Sequence, residues 1–202
     1  VIPRFKSFLV GHPILLLGID SSLRQKKLSW LVVLGLIGPI TRHLGNLLTT
    51  GIVSAYKTVP WLGGLLYGSL YAPMVATGMH HMFLGLDIQL IAQHGGTFLW
   101  PILALSNIAQ GSASLAMSWL ADDPDDKSLA STSAISAYFG ITEPALFGVT
   151  LRNKYPFFAG IIGSALAGLY VTANDVLASS IGIGGLPGFI SIIPRYIPSF
   201  LV

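Results

Sequence analysis

Residues 88–121 run for 34 positions without a single Asp, Glu, Lys or Arg. Two further stretches, 20 residues at 155–174 and 19 at 176–194, are equally free of charge. About 20 apolar residues cross the hydrocarbon core of a bilayer as a helix. In lipid, every backbone polar group must also find its partner inside the chain. The sequence is therefore predicted to be an all-α integral membrane protein. A transmembrane barrel would show short segments of strictly alternating polarity, and these stretches do not alternate. Composition agrees: 52% of residues are hydrophobic and 9% charged, where a soluble domain carries about 25% charge.

The 23 glycines and 12 prolines are more than simple spanning helices use. They predict broken or re-entrant segments, which are tolerated where they face protein or a watery cavity. Net charge is +3 and the isoelectric point about 9.3. With so few charges in all, that excess fits cytoplasmic loops and anionic headgroups, and no nucleic-acid partner is expected. The absence of cysteine excludes disulfides and thiolate metal sites. The chain starts at Val1 and ends on Phe200-Leu201-Val202, so both ends read as cut from something longer.

Residues 1–27 mix apolar and basic positions, and the run Pro13–Ile19 is too short to span. Residues 28–41 supply most of a helix, with basic residues on both sides that leave its orientation open. In the stretch 61–96, Gly63, Gly64 and Gly68 allow close helix approach, while Pro73 and Gly78 interrupt it just before His80-His81. Residues 97–121 form the next apolar run, followed by the dense charges of 122–127 (DDPDDK), read as a solvated loop. Arg152 and Lys154 mark an aqueous turn, and 155–174 reads as a spanning helix with Gly160, Gly163, Ala167 and Ala173 as its small residues. The glycine-rich stretch 181–188 (IGIGGLPG) reads as a flexible turn or the start of a last helix, without a Walker lysine. The echo between residues 2–10 and 193–202 is too short to count as a repeat.

Glu143 is the only glutamate in the chain, and no other formal charge lies within 128–151. An ionisable residue inside a membrane segment marks a functional site. The surrounding Gly140-Ile141-Thr142-Glu143-Pro144 breaks regular structure: Gly140 permits unusual backbone angles, and Pro144 biases Glu143 away from helix. A hydrophobic segment interrupted at such a residue is how transporters build binding sites. His80, His81, Asp87 and His94 are the other titratable groups of the apolar core. Adjacent His80 and His81 are expected to point apart. A relay set of His80, Asp87 and Glu143 has no supporting metal-ligand spacing, and neither metal nor cofactor is expected. Thr77, Thr142, Gln89, Asn107 and Gln110, with the rings of Trp61, Tyr67, Tyr71, Trp100 and Tyr138, make a mixture suited to sugars. A carboxylate there can orient a hydroxyl and act as general base when it attacks a phosphoryl group.

The stretch Gly140-Ile141-Thr142-Glu143-Pro144-Ala145-Leu146-Phe147-Gly148-Val149, continuing through Leu151-Arg152 and Lys154-Tyr155-Pro156-Phe157, resembles the membrane-embedded IIC (EIIC) domain of phosphotransferase-system sugar permeases. It is most similar to the sucrose, trehalose and β-glucoside branch of the glucose superfamily. A second matching block is Thr77-Gly78-Met79-His80-His81 with Phe83, Leu86-Asp87 and Gln89-Leu90, and a looser third is 45–52 with Pro60–Gly64. The resemblance covers roughly residues 37–202, leaving 1–36 as a poorly matching segment. It implies polytopic helices with re-entrant hairpins carrying the two motifs, in a multi-pass protein of the bacterial cytoplasmic (inner) membrane. It also implies a homodimer, a disaccharide substrate, and phosphorylation of that sugar by the phosphocysteine of a IIB domain.

Carried over by position, Glu143 contacts the sugar hydroxyl and His80 lies beside the transfer site. His81, Thr77, Asp87, Gln89, Thr142, Gly140 and Arg152 are the implied substrate-binding residues. The Met-His-His…Leu-Asp-Ile-Gln form of the second block points to trehalose first and sucrose next. Relative to the family, the IIB and IIA domains and the early helices are not among these residues, which implies a partial IIC. Two alternatives stay open: an ion-coupled secondary transporter with Glu143 as proton carrier, and a IIC remnant that binds nothing.

Overall fold

The computed structural model describes residue 35 and residues 38–201. The expectations for residues 1–34, including the run Pro13–Ile19 and the start of the 28–41 helix, lie outside the described residues. The chain divides into two compact units, residues 1–47 and 48–202. Every named element is helical. Among the described residues, extended pairing is limited to two isolated bridges, Thr97 with Ala178 and Ala178 with Ile192.

Helix α1 (Gly38–Thr58) carries Lys57 in its last turn, where a cation meets the negative end of the helix dipole. Within the second unit its Ile52 is buried, and its Tyr56 ring stacks on Phe98 with centroids 3.7 Å apart. Helix α2 (Pro60–Thr77) opens on a proline, whose missing N–H is not needed in a first turn. It ends at Gly78, left-handed at φ 76°, with the Gly78 N–H donating to the Val75 carbonyl. The interruption expected there is present as a 3₁₀ turn, Met79–His81, leading into α3 (Met82–His94).

Helix α4 (Leu99–Leu120) and helix α6 (Tyr155–Ala173) pack on α2 and on each other. The α2–α6 crossing is set by small residues in pairs. A methyl group at Gly64 would overlap the Gly168 carbonyl and Thr172, and one at Gly68 would overlap the Ser164 carbonyl. The Ser164 hydroxyl donates to the Gly68 carbonyl at 2.7 Å, closing a bond between two backbones that touch. Gly-xxx-Gly on one helix against Ser-xxx-Gly on the other is how membrane helices replace a missing hydrophobic drive with close packing and interhelical hydrogen bonds.

Of the several spans expected, the described residues include one helix long and apolar enough to cross a membrane, α6, with mean hydropathy 1.6 over its window. Its outward face is apolar: Phe158, Ile162 and Leu166, spaced four apart, are each about 60% exposed. Helix α4 is longer at 22 residues, yet its buried face carries Ser106, Asn107, Gln110, Ser114 and Ser118. Those polar groups lower its hydropathy while pointing into the protein. Gln110 Nε2 donates to the Phe157 carbonyl at 3.3 Å, and Ser114 donates to the Ala130 carbonyl at 3.0 Å.

The charged run 122–127 is not simply a loop. Asp123 caps helix α5 (Pro124–Tyr138) by accepting from the Asp125 N–H, at a long 3.5 Å. Pro124 sits at the first helical position, and Asp125 and Asp126 occupy the first turn, where the dipole favours anions. Among the described residues, two other than glycine have positive φ, one at each end of α6: Lys154 at 61° and Asp175 at 50°. Lys154, at ψ −60°, has the angles of a γ-turn centre, a strained conformation. Asp175 closes α6 in a Schellman arrangement, with the Val176 N–H donating to the Val171 carbonyl at 2.9 Å.

Replacing Gly68 by valine forces the α2 and α6 backbones apart. Gly68→Val is expected to lower stability in detergent by about 1–3 kcal/mol, read as an earlier thermal unfolding transition. A transition unchanged from wild type would contradict the crossing described here.

Candidate functional site

The turn that presents Glu143 is built on the C-terminus of α5. The Gly140 N–H donates to the Ala137 carbonyl and the Ile141 N–H to the Ser136 carbonyl, both at 2.9 Å. These are the two bonds of a Schellman motif, whose closing residue must be left-handed. Gly140 fills that position at φ 92°. A side chain there would also press on the backbone of Gly184, whose atoms lie 2.9–3.1 Å from a built Cβ. Gly185, at φ 69°, lies so close that a methyl would overlap the Tyr138 carbonyl. The glycine-rich stretch read as a flexible turn is thus a packing surface for the Glu143 turn. Its other reading holds in part, since Leu186–Ser191 is a 3₁₀ helix.

Glu143 itself is helical, at φ −56° and ψ −44°, which corrects the expectation that Pro144 would hold it extended. The Leu146 N–H reaches the Thr142 carbonyl at 2.8 Å, closing a turn around Pro144. Proline is accepted because it enters where no N–H partner is required. The segment Pro144–Thr150 then winds as a π-helix before one α turn, Leu151–Asn153. Such wide turns recur at functional sites. Thr142 and Ala145 are buried, while the Glu143 side chain is exposed.

His80 comes from the other motif, in the 3₁₀ turn after α2. Its half-buried ring meets Tyr71 edge-on, with centroids 6.2 Å apart and planes at 72°. Glu143 lies within electrostatic range of His80 and Tyr71 but forms no ion pair with His80. The two residues expected to be catalytic, 63 positions apart in sequence, thus lie in the same region without a direct contact. The expectation that His80 and His81 diverge is not met: the tight turn leaves their ring centroids 4.0 Å apart with planes at 37°. His80 Nδ1 is buried, and His81 is exposed.

The remaining residues are arranged unevenly. Thr77, exposed at the end of α2, donates to the Pro73 and Met74 carbonyls at 3.2 and 3.1 Å. Gln89 is exposed on α3. Asp87 is 1% exposed and accepts from the Thr97 hydroxyl at 2.7 Å, while that same Thr97 oxygen accepts from the Leu99 N–H at 3.2 Å. In this arrangement Asp87 fastens α3 to the start of α4. Arg152 is exposed and forms an ion pair with Asp126 at 2.9 Å. Of the aromatic residues, Tyr67, Tyr71 and Trp100 are buried and Trp61 is exposed. The Tyr138 hydroxyl is 3.1 Å from that of Ser112. Among the described residues, no group of three or more His, Asp or Glu is placed to hold a metal ion.

A family model described as "Phosphotransferase system, EIIC" matches residues 28–164. A trehalose-specific EIIBC component of the PTS system from Bacillus subtilis (strain 168) is 55% identical over 168 residues, 83% of this chain and 36% of the relative. A sucrose-specific EIIBC component from Vibrio alginolyticus is 43% identical over 174 residues, 85% of this chain and 36% of the relative. A trehalose-specific EIIBC component from Escherichia coli (strain K12) is 43% identical over 166 residues, 80% and 34% respectively. The chain spans about a third of the length of these relatives. No solved structure matches it.

The Asp87–Thr97 bond has a measurable cost of removal. Thr97→Val is expected to destabilise the protein by about 1.5–3 kcal/mol, the range for a hydrogen bond to a charged group. Adding Asp87→Leu should restore most of that loss, since the stranded carboxylate goes with it. Equal unfolding midpoints for the single and double variants would contradict this role.

Proposed function

This chain belongs to the phosphotransferase-system EIIC family, and we propose that it is the sugar-handling part of a permease that phosphorylates its substrate during transport. The proposed substrate is trehalose, with sucrose next. That order follows the specificities of the relatives, trehalose at 55% identity and sucrose at 43%. The observation that supports the reading is the edge-on contact of His80 with Tyr71, with Glu143, from the other motif, within electrostatic range of both.

In this reading the Glu143 carboxylate accepts a hydrogen bond from the primary hydroxyl of the sugar. It then takes the proton as that oxygen attacks phosphorus. The new O–P bond forms as the S–P bond of the donor phosphocysteine breaks, and the thiolate departs. The chain has no cysteine, so the donor thiol belongs to a IIB domain outside these residues. His80, with two ring donors when charged, steadies the phosphoryl oxygens as charge moves across them. The exposed groups of His81, Thr77 and Gln89 offer hydrogen bonds to the other sugar hydroxyls. Gly140 and Thr142 shape the Glu143 turn, whereas Asp87 and Arg152 act through the scaffold. Residues 37–202 form the EIIC portion, set as several membrane passes with re-entrant hairpins in the bacterial cytoplasmic membrane, and two copies pair there as a homodimer.

Binding of labelled trehalose and sucrose to the detergent-purified chain tests this directly. Saturable binding is expected, tighter for trehalose, and lost by at least about tenfold in Glu143→Ala, as for a charged hydrogen-bonding group. His81→Ala should weaken binding less than His80→Ala. A folded protein that binds neither sugar would instead identify a remnant without a working site. Uptake of unmodified sugar driven by a pH gradient would identify an ion-coupled transporter.

A further inference from the structure

Glu143 makes no side-chain hydrogen bond or ion pair among the described residues, so its position is decided by the turn beneath it. Among the described residues, one side-chain hydrogen bond ties that turn to another helix. Asn107, on the buried face of α4, donates from Nδ2 to the Gly140 carbonyl at 3.4 Å. The bond is long, and its weight comes from burial: Asn107 is 3% exposed, so its amide hydrogen has no water to turn to. Its Oδ1 has no partner, which leaves the Gly140 bond as the one polar contact fixing the side chain. Gly184 closes the other side. A methyl there would overlap Asn107 Nδ2, and Gly184 also lies against Gly140. The amide is therefore held between two glycine backbones, one of which begins the Glu143 turn.

We propose that Asn107 is a positioning residue for Glu143, holding the Gly140 turn to the rigid helix α4 with Gly184 as the opposing wall. This rests on the reading of Glu143 as the sugar-binding carboxylate for its functional consequence, but not for its structural one. A site whose polar groups must be held to within about 0.5 Å is built from such supporting contacts. Asn107→Asp keeps the volume and turns an acceptor toward the Gly140 carbonyl, which repels it. Gly184→Ala leaves Asn107 in place and pushes its amide aside. Two different substitutions should thus produce one effect.

The absence of cysteine allows the test to be made on the whole chain. Ile141→Cys, at an exposed position of the turn, carries a nitroxide label, and its spectrum reports the order of the turn without reference to sugar. The label is expected to become more mobile in Asn107→Asp and in Gly184→Ala, while trehalose affinity falls about five- to tenfold, the span of one hydrogen bond. Adding Asn107→Asp to Glu143→Ala should weaken residual binding no further. Asn107→Ser, smaller than asparagine, serves if the aspartate variant does not fold. An unchanged label spectrum in folded variants would overturn the proposal. Increased mobility with no sugar binding even by the wild type would uphold the positioning role and overturn the sugar reading instead.

Discussion

The backbone-to-backbone approach of α2 and α6 is the constraint on which the rest of the second unit depends. Gly64 and Gly68 meet Gly168 and Ser164 with no room for a methyl group, and one hydroxyl bonds across the crossing. In water, such a pair would be driven together by burying apolar surface. In lipid that drive is absent, so fit and hydrogen bonding must carry the association. Because the crossing fixes α2 along most of its length, it also fixes where α2 ends. The Gly78 cap and the 3₁₀ turn that follow hand His80 to Tyr71.

Helix α4 plays the complementary part. Its inward side is a ladder of amides and hydroxyls. Each rung engages a different neighbour: Asn107 the Gly140 turn, Gln110 the start of α6, Ser114 the body of α5. A buried polar group must be partnered or it costs free energy. These groups therefore specify which backbone lies opposite each level of α4, where a greasy face would accept many registers. His80 and Glu143 each depend on one of these systems, His80 on the glycine packing of α2 and Glu143 on the Asn107 amide.

Much of this was legible in the sequence where the cause is local. Gly63, Gly64 and Gly68 announced close approach, Gly78 announced the break before the histidines, and Gly140 announced a special turn, whereas Pro73, also expected to interrupt, lies inside the continuous helix α2. The charged run 122–127 reads as a loop on charge alone, yet its residue order favours a helix start. Asp-Pro-Asp-Asp is a helix start, and the acidic residues are there for the dipole. Glu143 misled because the rule for residues before proline is a bias, overridden once the Leu146–Thr142 bond closes the turn. The closeness of the tilted His80 and His81 rings departs from side-chain directions that hold for longer regular elements. What no local rule could supply were the distant pairings: Asp87 with Thr97, Asn107 with Gly140, and Gly184 against Gly140. They depend on which segments the tertiary fold sets side by side, and no periodicity encodes that.

The positive φ angles at Lys154 and Asp175 carry a consequence for the setting of the protein. They bracket α6 with one sharply turned residue at each end, so the helix cannot grow by recruiting its flanks. Its 19 residues give a rod of about 28 Å at 1.5 Å per residue. Membranes differ in thickness by several ångströms, and a helix with frayed ends can adapt by winding or unwinding a turn. One clamped at both ends must answer hydrophobic mismatch by tilting or by deforming the lipid around it. A tilt of α6 would carry α2 with it through their interlocked glycines.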